Sequence, residues 1–128
     1  MNEFTRLHGS VIAVIGHGSS DFSSNGGLLD LKKVKQFTEA VFRNFRPARA
    51  MIFADTGFGS EAAAAARRLN VKYHPFMTWV AFAETLKTCD VVCLFWNEEL
   101  HNPYIESTVK HAQKYNRPIV NLWEMWTG

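Results

Sequence analysis

Cysteine is scarce: the 128-residue chain has two, Cys89 and Cys93, four positions apart. That excludes a disulfide-built scaffold and a zinc site made of four cysteines. No apolar run approaches the roughly 20 residues needed to span a bilayer. The N-terminal Met1-Asn2-Glu3-Phe4-Thr5-Arg6 lacks the basic-then-apolar pattern of a secretory signal. A cytoplasmic protein with no membrane partner is expected. Charge of one sign is also missing: 14 Lys+Arg against 12 Asp+Glu give a net +2, and the only close basic group is Lys32, Lys33 and Lys35. A dedicated nucleic-acid surface is therefore not expected, although a small basic pocket remains compatible. Repeats, low-complexity segments and linkers are absent. With 47% hydrophobic and 20% charged residues, the chain reads as one globular domain over residues 1–128.

What is present is an alternation of strand and helix patterns. Ser10 to Ile15 is a β-branched run ending at Gly16, as in a buried parallel strand. A Gly/Ser-rich loop spans Gly16 to Gly27. From Leu28 to Phe45, the residues Leu31, Val34, Phe37, Val41 and Phe45 share one helical face. Ala48 to Ala54 reads as the second strand, followed by a turn from Asp55 to Ser60. Ser60 is the expected N-cap of an Ala-rich helix from Glu61 to Leu69. Lys72 to Met77 reads as a short strand, Trp79 to Thr88 as a helix, and Asp90 to Trp96 as the clearest strand. Asn102-Pro103, a cap residue followed by proline, opens a helix to about Tyr115. Arg117 to Trp123 is the last expected strand. The pattern predicts a Rossmann-like three-layer α/β sandwich, with about five mostly parallel strands and helices on both faces.

In such sheets ligands lie beyond the carboxyl ends of the strands, which points to four loops. The first carries Gly16, His17, Gly18, Ser19 and Ser20, small and hydroxyl residues suited to an anion or a ribose. Asp21 stands where a third glycine of G-x-G-x-x-G would fall, and no Walker pattern occurs, so a dinucleotide fingerprint is unsupported. The second carries Thr56, Gly57, Phe58, Gly59 and Ser60 at a helix N-terminus. The third offers Trp79 as a stacking surface for a flat ring. The fourth runs from Asn97 to Asn102 and leads to Glu106 in the first turn of the following helix. His17, His74 and His101 all fall near strand ends, but no H-x-H or H-x-x-x-H spacing supports a metal site, so neither metal nor cofactor is expected.

Taken together, these loops resemble the SLOG superfamily, named for the Smf/DprA and Lonely-Guy proteins, and its small YspA-like members in particular. The turn from Ala54 to Ser60 before an Ala-rich helix, the strand Cys89 to Trp96, and His111-Ala112 with Asn116-Arg117-Pro118-Ile119-Val120 carry the resemblance. It covers about Val11 to Val120. It implies binding of a nucleotide or nucleotide-derived small molecule, as a sensor or sequestering module. The Lonely-Guy branch cleaves the N-glycosidic bond of nucleoside monophosphates and carries P-G-G-x-G-T-x-x-E. Asn102 and Pro103 stand at its Gly-Thr positions and Glu106 matches its glutamate, while the preceding glycines are missing. Val80, Ala81 and Phe82 occupy the region of that branch's Arg-Lys pair.

The resemblance therefore implies a binding protein first. A glycosidase or deoxyribosyltransferase using Glu106 is the alternative. A third expectation comes from Gly16-His17-Gly18-Ser19-Ser20-Asp21, which resembles the G-H-G-S-R-D start of small cobalt and sirohydrochlorin chelatases with Ser20 in place of the arginine. That likeness implies metal handling by His17 and covers only the first 30 or so residues. Aromatic richness and the Trp123 to Trp126 tail add the expectation of a homo-oligomer.

Overall fold

The computed structural model describes residues 8–18, 21, 30–54 and 57–126. Strands β1 (Val11–Gly16), β2 (Arg49–Phe53), β3 (Tyr73–Phe76), β4 (Val91–Phe95) and β5 (Ile119–Asn121) form one sheet in the order β3-β2-β1-β4-β5. Every neighbouring pair is parallel. Helices α1 (Leu31–Phe45), α2 (Phe58–Arg68), α3 (Trp79–Glu84) and α4 (Pro103–Lys114) join them, with 3₁₀ turns at Thr85–Lys87 and Leu122–Met125. The architecture is the expected α/β Rossmann-like sandwich.

A parallel sheet must be covered on both faces, and the period of two along β1 shows how. Ile12 and Val14 face a core completed by Val34 and Val41 of α1 and Ala62, Ala65 and Ala66 of α2. Ala13 and Ile15 face the opposite core, with Phe82 and Leu86 beyond β3 and Ile105 and Ala112 of α4. The alanines let α2 lie close to its sheet face, which is why an Ala-rich helix belongs there.

Several boundaries differ from the sequence expectations, each for a local reason. The first helix begins at Leu31 because the Asp30 side chain caps it, accepting from the Lys32 and Lys33 amides. Helix α2 is capped by Gly57, not Ser60. Gly57 has φ +72° and ψ −124°, a conformation open to glycine. The early start carries Phe58 inward, where its ring stacks on Phe95 at 4.4 Å. The last strand stops at Asn121, whose side-chain amide pairs with the Trp96 backbone through Nδ2 to O at 2.8 Å and N to Oδ1 at 3.2 Å. The tail packs on this chain and stays partly exposed: Trp123 and Trp126 lie 5.0 and 5.2 Å from Phe95.

Both thiols are buried, and burial pushes them up, Cys89 to about 11 and Cys93 further. Native protein at pH 8 should react with a thiol reagent only after denaturant is added, with both cysteines then titrating. A thiol held protonated by the fold favours folding below the ordinary value near 9, and this contribution is lost as pH rises through about 11. Alkaline titration of the melting temperature should therefore fall less steeply in Cys89→Ala.

Candidate functional site

The direction in which successive strands are added to the sheet reverses between β1 and β4. From β1 the connections run outward to β2 and β3, and from β4 they run the other way to β5. The connection after β1 leads to α1 on one face of the sheet and that after β4 to α4 on the other, and it is in the crevice between two such connections that open α/β sheets usually take ligands.

His17 ties that point together. It is completely buried. Its backbone N–H donates to the Phe95 carbonyl at 3.2 Å and its carbonyl accepts from the Phe58 amide at 3.1 Å. On the ring, Nε2 accepts from the Asn97 amide at 3.0 Å, which requires the proton to sit on Nδ1. Nδ1–H then donates to Asp21 Oδ2 at 2.9 Å. The same carboxylate oxygen accepts from Asn102 Nδ2 at 2.7 Å. Asn102 Oδ1 in turn caps α4 by accepting from the Ile105 amide at 3.0 Å. A continuous polar chain thus runs from the β4 loop through His17 and Asp21 to the first turn of α4. Low local dielectric and a charged acceptor make such a chain stiff.

Glu106, four residues after the cap, extends the cluster: its Oε2 accepts from the Asn102 backbone amide at 3.0 Å. That oxygen also lies 2.6 Å from His101 Nδ1. Asp21 is the residue that sequence reasoning passed over. Its signal is the four-residue spacing His17-x-x-x-Asp21, which the sequence offers otherwise only as a broken glycine motif and as the end of the chelatase-like stretch.

The structure brings Gly16, His17, Gly18, Asn97 and Asn102 together around this crevice. Ser19, Ser20 and Thr56 lie outside the described residues. Gly16 and Gly59 are explained by packing. A Cβ on Gly16 would come 2.6 Å from the Phe58 ring, and one on Gly59 would come 2.0 Å from the Phe53 carbonyl oxygen. Phe58 is buried in the core, so it offers no surface to a ligand, while Ser60 is exposed. Trp79 is half-buried and held from within: its Nε1 donates to Thr108 Oγ1 at 2.9 Å, and its ring meets His111 edge-on at 5.2 Å. Met77, Val80 and Tyr104 are the exposed apolar side chains nearby, at 76%, 73% and 51% exposure.

His17 spends both ring nitrogens inside the protein, so metal ligation would require dismantling the chain just described. Among the described residues, no group of three or more His, Cys, Asp or Glu is arranged to hold a metal ion. No described helix is long and apolar enough to cross a membrane.

The fold defines the class: a Rossmann-like α/β protein whose strand order has its switch point between β1 and β4. Among solved structures, the chain is similar to the molybdenum cofactor carrier protein MCP from Chlamydomonas reinhardtii. The TM-score is 0.59 at 14% identity, over 87% of this chain and 74% of that one. No family model and no curated protein sequence matches the chain.

Proposed function

We propose that this protein binds a nucleotide or nucleotide-derived small molecule in the β1/β4 crevice, as a SLOG-like sensor or sequestering module. The observation that carries the reading is the buried His17–Asp21–Asn102 chain. It ties His17 and Asp21, after β1, to Asn97 and Asn102, after β4, at the place where such folds take ligands. Groups already held in place lose little entropy on binding, which suits capture of a small molecule. That a protein of the same fold is a cofactor carrier supports holding without a chemical step. The hydroxyls of Ser19 and Ser20 supply donors for a phosphate or a ribose. Self-association belongs to the same reading, through the exposed Met77, Val80 and Tyr104 side chains.

The test is a thermal-shift panel of nucleoside phosphates, cyclic nucleotides, ADP-ribose and the molybdenum cofactor. A ligand at one hundred times its Kd should add about 2.7 kcal/mol. Ser19→Ala with Ser20→Ala should weaken binding about tenfold, equivalent to about 1.4 kcal/mol. A panel with no shift overturns the reading, and a shift from the molybdenum cofactor alone replaces the nucleotide by that ligand.

Glu106 carries the enzymatic alternative, in which a carboxylate would stabilise or attack an anomeric carbon. Its hydrogen bond to the Asn102 amide favours a structural role. Base release from nucleoside monophosphates that disappears in Glu106→Gln would reverse this ordering.

A further inference from the structure

At the opposite edge of the sheet, where the strands begin, the fold gathers cations that are dispersed along the sequence. Arg43, Arg46, Arg49, Arg67, Arg68 and Lys72 are all exposed there. They line three open grooves of about 510, 490 and 560 Å³. The first and second share Asn70, Val71 and Lys72, and the second and third share Arg67 and Tyr73, so the three form one continuous track. Among the described residues, no carboxylate lines any of them. Among the described residues, only Arg68 of the six meets an acid, Glu39, at 2.7 Å. Tyr73 and His74 on the edge strand β3 add aromatic surface to the track.

Helix dipoles account for part of this. Arg43, Arg67 and Arg68 occupy the last turns of α1 and α2, where a cation is favoured in any helix. Arg46, Arg49 and Lys72 lie beyond those turns. Arg46 is also held at φ +37° and ψ 68°, the left-handed conformation that glycine fills without strain at a helix end. Its Nε donates to the Arg43 carbonyl at 3.3 Å, so it helps close the end of α1 while its side chain lines the first groove.

We propose that this track binds single-stranded nucleic acid, independently of the crevice at the other edge. A cationic groove that follows the backbone, with aromatic side chains at its margin for bases, is the chemistry that holds single strands without reading sequence. A duplex would call for a helix or ribbon that can enter a groove, and the track is itself concave. A lipid surface would call for an apolar side chain to insert, and the exposed Met77, Val80 and Tyr104 lie with the other edge.

The experiment is fluorescence anisotropy of the full chain with a labelled 20-nucleotide oligothymidylate in 50 mM salt, followed by a salt titration. Four neutralised phosphates should give a log–log slope of about −3. Arg49→Gln with Lys72→Gln should make the slope shallower by about 1.4 and weaken binding at least tenfold. The equally charge-reducing Lys32→Gln with Lys35→Gln should leave both unchanged. Arg46→Gly should weaken binding several-fold without lowering the melting temperature, which separates a binding residue from a structural one. The proposal is overturned by absent binding at 50 mM salt or by equal effects of the two double variants. Tighter binding of duplex, capture by anionic vesicles but not by the oligonucleotide, or displacement by tripolyphosphate at equal phosphate concentration would each overturn it as well.

Discussion

Replacing Asn102 with alanine should destabilise the protein by about 2–4 kcal/mol in urea unfolding, unusually much for one uncharged polar side chain. Two losses combine. The N-cap of α4 disappears with the acceptor for the Ile105 amide, typically about 1 kcal/mol. Asp21 loses its 2.7 Å donor while remaining partly buried against His17, and hydrogen bonds to charged groups contribute about 1.5–3 kcal/mol. Serine should restore the cap but fall short of Asp21, recovering about 1 kcal/mol. If alanine and serine were equally stable, the cap would not matter. If serine matched the native protein, the link to Asp21 would carry no energy. Because the cap orients the loop at the crevice, Asn102→Ala should also weaken any ligand the thermal-shift panel identifies.

A second large effect is expected at Gly59. An added Cβ would sit 2.0 Å from the carbonyl oxygen of Phe53, and because that neighbour is backbone, no side chain can turn away. Relief requires moving α2 off the end of β2, so Gly59→Ala should cost at least about 3 kcal/mol or prevent soluble expression. Gly16→Ala should be milder, since its obstacle is the Phe58 side chain, although that ring is stacked and has little room. Gly9→Ala meets no atom and should cost about 1 kcal/mol through its φ of +70° alone. Chemical-denaturation midpoints in that order check the packing at the start of α2. A Gly59→Ala protein as stable as Gly9→Ala would mean that the helix does not pass so close beneath β2.

The layered sheet was legible because strand and helix periods differ and the chain keeps to both. The runs Ser10 to Ile15 and Asp90 to Trp96 read as buried strands, and Asn102-Pro103 as a helix start, and the structure has β1, β4 and α4 there. What escaped was set by contacts distant in sequence. Ser60 is a good cap residue in isolation, but Phe58 has a stacking partner on β4, and the helix starts where that ring is needed. Arg117 to Trp123 contains strand-forming residues throughout, yet Asn121 uses its side chain as a substitute for the next rung of the ladder. At the crevice, the glycines read as room for a ligand are room for Phe58 and for the Phe53 carbonyl. The residues that organise it, Asp21 and Asn102, are 81 positions apart, a pairing no local pattern contains.

The placement of β1 between β2 and β4 has a consequence for how the molecule comes into being. Strands β1, β2 and β3 are adjacent both along the chain and across the sheet, so they can assemble as soon as they leave the ribosome. The other side of β1 must then wait, unpaired, for a strand beginning at residue 91. Long-range parallel pairing is slow and leaves a sticky edge in the meantime. The residues His17 and Asn97 that meet across β1 and β4 belong to that late seam, so a nascent chain completes the proposed site only when its vulnerable edge is closed. A small molecule that bound there would therefore stabilise the finished protein and have no purchase on its half-made forms.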